Sequence, residues 1–288
     1  MPVTILMPVL NGADFLQEQL ESLARQTLLP RRVLAFDDGS QDGSRRILDQ
    51  FARMAPFEMR TGPGPGRGHA RNVAALLRAA GPGSVAFCDQ DDVWLPDRLM
   101  RADRALRCIS RPALVVSARL VTGPRLQAAR PAPVPRATNF RCALLRNPAP
   151  ANATVLNASA AQLARQFLPE PGALPPFPDW WVHALVLGAG GTVIFDAAPG
   201  LLYRQHRGNM LGGRHGRHRL RRMLLLADGT YDRWLRDQTR ALQLASAALT
   251  PGHRAELAVF AARLGAARSP PFMSRGTISR IALGLSRI

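Results

Sequence analysis

Three carboxylates crowd into four positions of the segment SVAFCDQDDVWLPDRL, residues 84–99: Asp89, Asp91 and Asp92. They directly follow the apolar run 85–88, which reads as a buried strand. Clustered carboxylates at the mouth of a core strand repel one another and lose hydration, a cost that a cation relieves. Hard oxygen ligands suit Mg²⁺ or Mn²⁺, and Mg²⁺ is commonly shared between one or two carboxylates and substrate phosphates. The segment therefore predicts a phosphate-bearing substrate bridged by metal. The competing reading is a solvated acidic turn before a helix opened by Pro96 and Asp97.

A second acidic group, Asp37-Asp38-Gly39-Ser40-Gln41-Asp42-Gly43, stands between a strand signal and a helix signal. A carboxylate there could accept hydrogen bonds from a base or ribose, or simply cap the helix. The glycine run at residues 62–68 (GPGPGRG) lacks the dinucleotide-binding spacing and reads as a flexible surface loop. Arg71-Asn72, on the next helix, offers a guanidinium fork suited to a diphosphate.

Alternating elements must position these groups. Strand signals fall at residues 3–9, 33–36, 57–59, 85–88, 113–121 and 153–156, with late strands at 192–195 and 201–203. Helix signals fall at 13–26, 42–54, 69–79, 96–108, 159–167 and from 179 to about 187, and the chain beyond Gly212 reads as helical and basic, broken at Pro251, Pro270 and Pro271. Residues 122–136 read as an exposed loop. This rhythm predicts an α/β fold with a mostly parallel sheet covered by helices on both faces. Ligands of such sheets bind at the carboxyl ends of the strands, where both acidic groups fall.

The chain of 288 residues carries a net charge of +18, and all 38 of its basic residues are arginine. Without lysine, a P-loop, a pyridoxal Schiff base and a kinase-type phosphate lysine are excluded. From Leu201 onward 16 arginines face four acidic residues, a balance that favours polyanions or an anionic membrane surface. The opening strand without a basic flank predicts no signal peptide. Residues 182–203, the longest apolar stretch, are interrupted by glycines, Asp196 and Pro199 and predict no membrane span. Cys88, Cys108 and Cys142 have no metal-ligand spacing and read as reduced thiols of a cytoplasmic protein.

Six short motifs, in order, resemble family 2 glycosyltransferases. They are Pro8-Val9-Leu10-Asn11-Gly12; Ser22-Leu23 with Gln26-Thr27; Asp38-Gly39-Ser40 with Asp42; Gly68-x-x-Arg71-Asn72; Asp89-Gln90-Asp91-Asp92-Val93-Trp94; and, resembling the rhamnosyltransferase-like branch, Asp179-Trp180-Trp181 with Tyr203-Arg204-Gln205-His206-x-x-Asn209. The resemblance implies a GT-A fold over a catalytic domain of residues 1–212, with 213–288 as a basic helical C-terminal extension.

The resemblance also implies an inverting transferase that uses Mg²⁺ or Mn²⁺ and moves a sugar from a nucleotide-diphosphate donor to a hydroxyl acceptor in surface-polysaccharide assembly. Rhamnose from dTDP-rhamnose is the best single donor and a glycan or lipid-linked molecule the acceptor. On this mapping Pro8 and Asn11 belong to the donor site, Asp38 contacts the nucleobase and Arg71 the nucleotide or diphosphate. Asp91 and Asp92 form the metal and diphosphate site with Asp89 in support. Asp179 is the catalytic base, and Trp180 and Trp181 beside it suit a partly apolar pocket that raises a carboxyl pKa. Its alternative reading is the N-cap of the following helix. Arg204 and His206 are second-layer diphosphate or metal contacts, and Trp94 is core or a wall of the donor pocket. The basic tail could hold the enzyme at the inner face of an anionic membrane. Two other readings stand: a metal-dependent nucleotidyltransferase, and a basic polyanion-binding protein. Nucleic acid is disfavoured as a partner, because the arginines of the tail lack interleaved aromatics.

Overall fold

A computed structural model of the protein describes residues 2–135, 137–206, 208 and 228–266. Its first half follows the predicted alternation: β1 (Val3–Val9), α1 (Ala13–Ala24), β2 (Arg32–Asp37), α2 (Ser44–Ala52), β3 (Glu58–Pro63), α3 (His69–Ala79) and β4 (Ser84–Phe87). A two-residue strand β5 (Val93–Trp94) and α4 (Arg98–Leu106) come next, then the long β6 (Ala113–Thr122). After them stand β7 (Arg130–Pro131), α5 (Phe140–Leu145), a 3₁₀ turn (Ala151–Ala153) leading into β8 (Thr154–Leu156), α6 (Ala158–Gln166), α7 (Pro178–Gly188) and β9 (Thr192–Arg204). Two further helices, α8 (Thr230–Leu244) and α9 (Pro251–Ala266), complete the described chain.

The sheet runs β3-β2-β1-β4-β8-β6-β9-β5, with β7 paired to β6. β1 pairs in parallel with both β2 and β4, so the strand order reverses beside β1. β8 runs against β4 and β6, and β5 against β9, which makes the sheet mixed. β1 is buried on both faces, as its nearly unbroken apolar run VTILMPV requires of a central parallel strand. The crevice at such a reversal, past the carboxyl ends of the strands, is where open α/β sheets bind ligands.

The two late strand signals belong to one strand. β9 continues through Asp196 and Pro199 with its register against β6 shifting between Ser117 and Arg119. Pro199 has no amide to donate, and Arg101 ties down the irregular stretch by bonding Asp196 and the carbonyls of Ala198 and Pro199. β9 can therefore reach past the sheet edge and bring Tyr203, Arg204 and His206 to the crevice.

Residues 228–266 pack onto the sheet and its helices. Leu235, Leu242, Leu249, Leu257 and Phe260 join the common core. The Tyr231 hydroxyl donates to the carbonyl of Leu145, and Trp234 meets Phe177 edge-on at 4.8 Å. The most basic stretch, residues 213–227, and the boundary at residue 212 lie outside the described residues. No helix among the described residues is long and apolar enough to cross a membrane.

His183, on α7, is fully buried with neither ring nitrogen hydrogen-bonded. Burial pushes its pKa down to about 3, against an ordinary 6.5. The folded state therefore refuses a proton that the unfolded chain accepts. Stability is complete above pH 6.5 and falls by about 1.4 kcal/mol per unit as pH drops from there toward 3. His183→Leu should raise the melting temperature at pH 8 and raise it further at pH 5. Equal gains at the two pH values would contradict the buried neutral imidazole.

Candidate active site

The loops following β1, β2 and β4 meet in a lattice of hydrogen bonds. The Asn11 amide donates to Ser40 Oγ (2.8 Å), and Asn11 Oδ1 accepts from the Gln41 amide (2.8 Å). Gln90 pairs with the Leu10 backbone through both its amide atoms, at 2.8 and 2.9 Å. A Cβ on Gly12 would stand 2.5 Å from the Gln90 amide group, so a side chain there would push Gln90 off the Leu10 backbone. Asp42 accepts from the amides of Ala13 and Ser44, linking the starts of α1 and α2. Asp37 accepts from Ser40. In the second acidic group Asp37 thus ties the loop and Asp42 the two helix starts, and Asp38 is left facing the crevice.

That crevice is a cavity of about 310 Å³ whose wall includes Pro8, Asp38, Asp89, Asp91, Arg119 and Asp179. Asp38 is held there by the glycine run: the amides of Gly66 and Gly68 each donate to one of its oxygens at 2.7 Å. A Cβ on Gly64 would lie 2.8 Å from Asp38 Oδ1. The expectation of a free surface loop is corrected here. The run's first two residues finish β3, and its later amides clasp a cavity carboxylate, a partnership across 28 and 30 residues that local glycine spacing does not reveal.

Asp89, Asp91 and Asp92 each present a carboxylate oxygen within 4.8 Å of the others. Their surroundings differ. Asp91 Oδ2 lies 2.7 Å from His206 Nε2, and the His206 ring packs on Phe15 with centroids 4.7 Å apart. Asp92 is 0% exposed: one oxygen accepts from Asn152 Nδ2 (2.6 Å) and the other from the Arg204 amide (3.1 Å). It fastens the end of β9 to the 3₁₀ turn and does not line the cavity. Burial, reinforced by the charges of Asp91 and Asp179, pushes the Asp89 pKa up to about 7, with Arg119 and Arg98 opposing. Burial also raises Asp92 well above the usual carboxylate range. Carboxylates so reluctant to ionise fit a site that takes a divalent cation, and oxygen donors suit Mg²⁺ or Mn²⁺.

Asp179 stands at the head of α7, in its first turn. The N-cap is Phe177, Pro178 opens the helix, and the capping alternative for Asp179 does not hold. Its Oδ2 accepts from Asn147 Nδ2 (2.8 Å) and the Ala151 amide (3.0 Å). Burial raises its pKa, and hydrogen bonding to the Trp180 amide and the charge of His69 work against the rise. His69, at the start of α3, lines the same cavity, and burial lowers its pKa.

Other expected site residues stand elsewhere. Trp94 is core, 2% exposed, with the Arg98 guanidinium 3.7 Å from its ring centre. Arg204 is buried behind Asp91, bonding the carbonyls of Asp91 (2.8 Å) and Pro124 and pairing with Glu18. Asn11 braces loops, and Arg71, in the first turn of α3, is not among the cavity-lining residues. Asn209 lies outside the described residues. Sequence reasoning assigned no role to the cavity residues His69 and Arg119, and met Tyr203 only as part of a motif. Asn152, which also lines the cavity, stands just before the β8 strand pattern.

Asn152→Ala should cost about 2 kcal/mol of stability in a denaturant melt, because it removes a donor from a fully buried carboxylate. An unchanged midpoint would remove the anchoring role of Asp92.

Residues 4–109 match the family described as Glycosyl transferase family 2. The UDP-Glc:alpha-D-GlcNAc-diphosphoundecaprenol beta-1,3-glucosyltransferase WfgD of Escherichia coli is 30% identical over 97 residues, 34% of this chain and 38% of its own. The matched segment spans about a third of the length of the curated relatives. Among solved structures, S. aureus TarS 1-349 in complex with UDP-GlcNAc aligns with a TM-score of 0.58 at 14% identity, covering 99% of this chain and 80% of that one. Mannosyltransferase PcManGT from Pyrobaculum calidifontis, in complex with GDP-Man and Mn2+, aligns with a TM-score of 0.53 at 18% identity over 98% and 85% of the two chains. The chain thus has a GT-A-like α/β fold, and its residues 4–109 carry the match to glycosyl transferase family 2.

Proposed function

We propose that the protein is a metal-dependent, inverting glycosyltransferase that moves a sugar from a nucleotide-diphosphate donor to a hydroxyl acceptor in polysaccharide assembly. The observation that carries this reading is the meeting of Asp38, Asp89, Asp91 and Asp179 in one cavity at the carboxyl ends of the strands. The donors named for TarS and PcManGT, UDP-GlcNAc and GDP-Man, support the substrate class.

Asp38 lies at the end of β2, where it can receive the nucleobase while the Gly66 and Gly68 amides hold its carboxylate. Asp91, with Asp89 beside it, is the group that would hold Mg²⁺ or Mn²⁺, whose charge would stabilise the departing diphosphate. We assign Asp92 to anchoring this pair and His206 to orienting Asp91. Arg204 supports the Asp91 backbone from behind.

Asp179 takes the acceptor proton. Its hydrogen bonds to Asn147 and Ala151 fix the carboxylate, and its raised pKa makes it a better base than an exposed aspartate. As the acceptor oxygen bonds to the anomeric carbon, the bond from that carbon to the diphosphate oxygen breaks on the opposite side. The electron pair leaves with the nucleoside diphosphate and the configuration inverts.

The test is a panel of nucleotide sugars with Mg²⁺ or Mn²⁺, headed by dTDP-rhamnose and including UDP-glucose, UDP-GlcNAc and GDP-mannose. The proposal expects release of nucleoside diphosphate from one donor and a product of inverted anomeric configuration by NMR. Consumption of a nucleoside triphosphate with release of inorganic diphosphate would replace it with a nucleotidyltransferase.

A further inference from the structure

The cavity wall next to Asp179 includes three apolar residues, Pro150, Ala151 and Phe177. The Ala151 amide bonds Asp179 Oδ2 at 3.0 Å, and Pro150 precedes it in the chain. Phe177 is the N-cap of α7, two residues before Asp179, and its carbonyl accepts from the Trp181 amide at 3.2 Å. Trp180 and Trp181, the aromatic pair that follows Asp179 in the sequence, are both buried, and Trp180 Nε1 is committed to the carbonyl of Ala143 at 2.6 Å. Phe177 is the ring of this segment that reaches the cavity.

That ring is held in place by α8. Trp234 meets it at 4.8 Å between centroids and 85° between planes. Trp234 in turn meets Tyr231 at 6.1 Å, and Tyr231 stacks on Trp180 at 6.3 Å. The ladder Phe177, Trp234, Tyr231, Trp180 therefore leaves the head of α7 and returns to it, which fixes the Phe177 ring relative to Asp179. A T-shaped contact engages at most one face of a ring, and Phe177 is only partly buried, so ring surface remains to meet a ligand in the cavity.

A pyranose carries hydroxyls around its rim and C–H groups on its faces. Its polarised C–H groups are drawn to the negative face of an aromatic ring, while a rim hydroxyl stays free to meet a carboxylate. A linear polyol offers the hydroxyl without the C–H face. Pockets that pair an apolar wall with a few fixed polar groups orient such ligands. We propose that Phe177 is the platform for the acceptor: a pyranose ring lies on it and turns a hydroxyl toward Asp179, with Trp234 as the positioning residue behind it. The inference rests on the transferase reading and adds to it the acceptor's class, a sugar ring, and a role for α8. Both rings lie beyond residues 4–109, the part of the chain matched to the family.

The test is saturation-transfer NMR on the full chain with Mg²⁺ and whichever of UDP, dTDP and GDP binds most tightly. The probes are the methyl glycosides of glucose, galactose, N-acetylglucosamine and rhamnose, against ribitol. At least one glycoside should bind, with transfer strongest to the C–H protons of one ring face, and ribitol should not. Phe177→Leu should weaken that glycoside about fivefold or more, with nucleoside diphosphate affinity within about twofold of the wild type, and Phe177→Tyr should keep it. Trp234→Leu should weaken it about threefold, and Trp234→Phe should restore part of the loss. Trp234→Leu also decides the matter if Phe177→Leu fails to fold. Absence of binding by every glycoside, equal binding of ribitol, or unchanged glycoside affinity in the Leu variants would overturn the proposal. Weaker nucleotide-sugar binding in Phe177→Leu with glycoside affinity intact would also overturn it and place the ring on the donor side. Failure of the transferase reading itself would be seen separately by calorimetry, as no cation-dependent nucleotide binding by the wild type.

Discussion

Asp179→Asn should reduce sugar transfer by about 10²–10⁴-fold, the range expected when a positioned general base is removed. Asparagine can keep an oxygen where Asp179 Oδ2 accepts from Asn147 and Ala151, so the head of α7 should stay in place. What is lost is the ability to take a proton. Calorimetry should therefore find nucleotide-sugar binding retained in this variant while product formation collapses, a loss in kcat and not in donor affinity. The pH profile of the wild type belongs to the same prediction. Because burial raises the Asp179 pKa, the acid limb of kcat should lie above the usual aspartate range, with activity falling as the carboxylate protonates at lower pH. A variant that still transfers sugar at a substantial fraction of the wild-type rate would remove Asp179 from the chemistry.

Asp91→Asn should have an effect of similar size by a different route. Asp91 is the cavity carboxylate paired to His206 at 2.7 Å, and its neighbour Asp92 has both oxygens engaged with Asn152 and the Arg204 amide. Removing the Asp91 charge leaves Asp89 as the remaining cavity carboxylate of the cluster. Cation affinity should fall steeply, and kcat/KM with it by about 10³-fold, corresponding to several kcal/mol of lost stabilisation of the leaving diphosphate. Excess Mn²⁺ should recover part of the rate, which it would not do for Asp179→Asn. Equal metal affinity in wild type and Asp91→Asn would refute the assignment.

The sheet was legible because its strands are locally marked. Residues 3–9 are apolar almost throughout, and His69–Ala79 was read with the bounds that the structure gives. β5 and β7 were missed because two residues carry no period, and α5 because Phe140–Leu145 is shorter than two turns. Asp38, Asp89 and Asp91 were visible because acidic residues at strand ends are conspicuous against a core, whereas Asp179, at the head of a helix, was singled out by the resemblance to family 2 glycosyltransferases. Which of them face the cavity was not visible. Asp91 lies in the turn before β5 and Asp92 just after it, so that one lines the cavity and the other is buried in the interior. The partners that decide this, Asn152 and the Arg204 amide, lie 60 and 112 residues away. The same distance effect hid the clasp of Gly66 and Gly68 on Asp38 and the packing of the Arg119 guanidinium on the Tyr203 ring.

The most direct test of the central claim is a calorimetric titration of nucleotide sugars and their nucleoside diphosphates into the full chain, with and without Mn²⁺. The account predicts that at least one nucleotide sugar binds, that binding requires the cation, and that Asp91→Asn weakens it steeply at the same Mn²⁺ concentration. Failure of every nucleotide to bind with either Mn²⁺ or Mg²⁺ would contradict the claim that this cavity is a donor site.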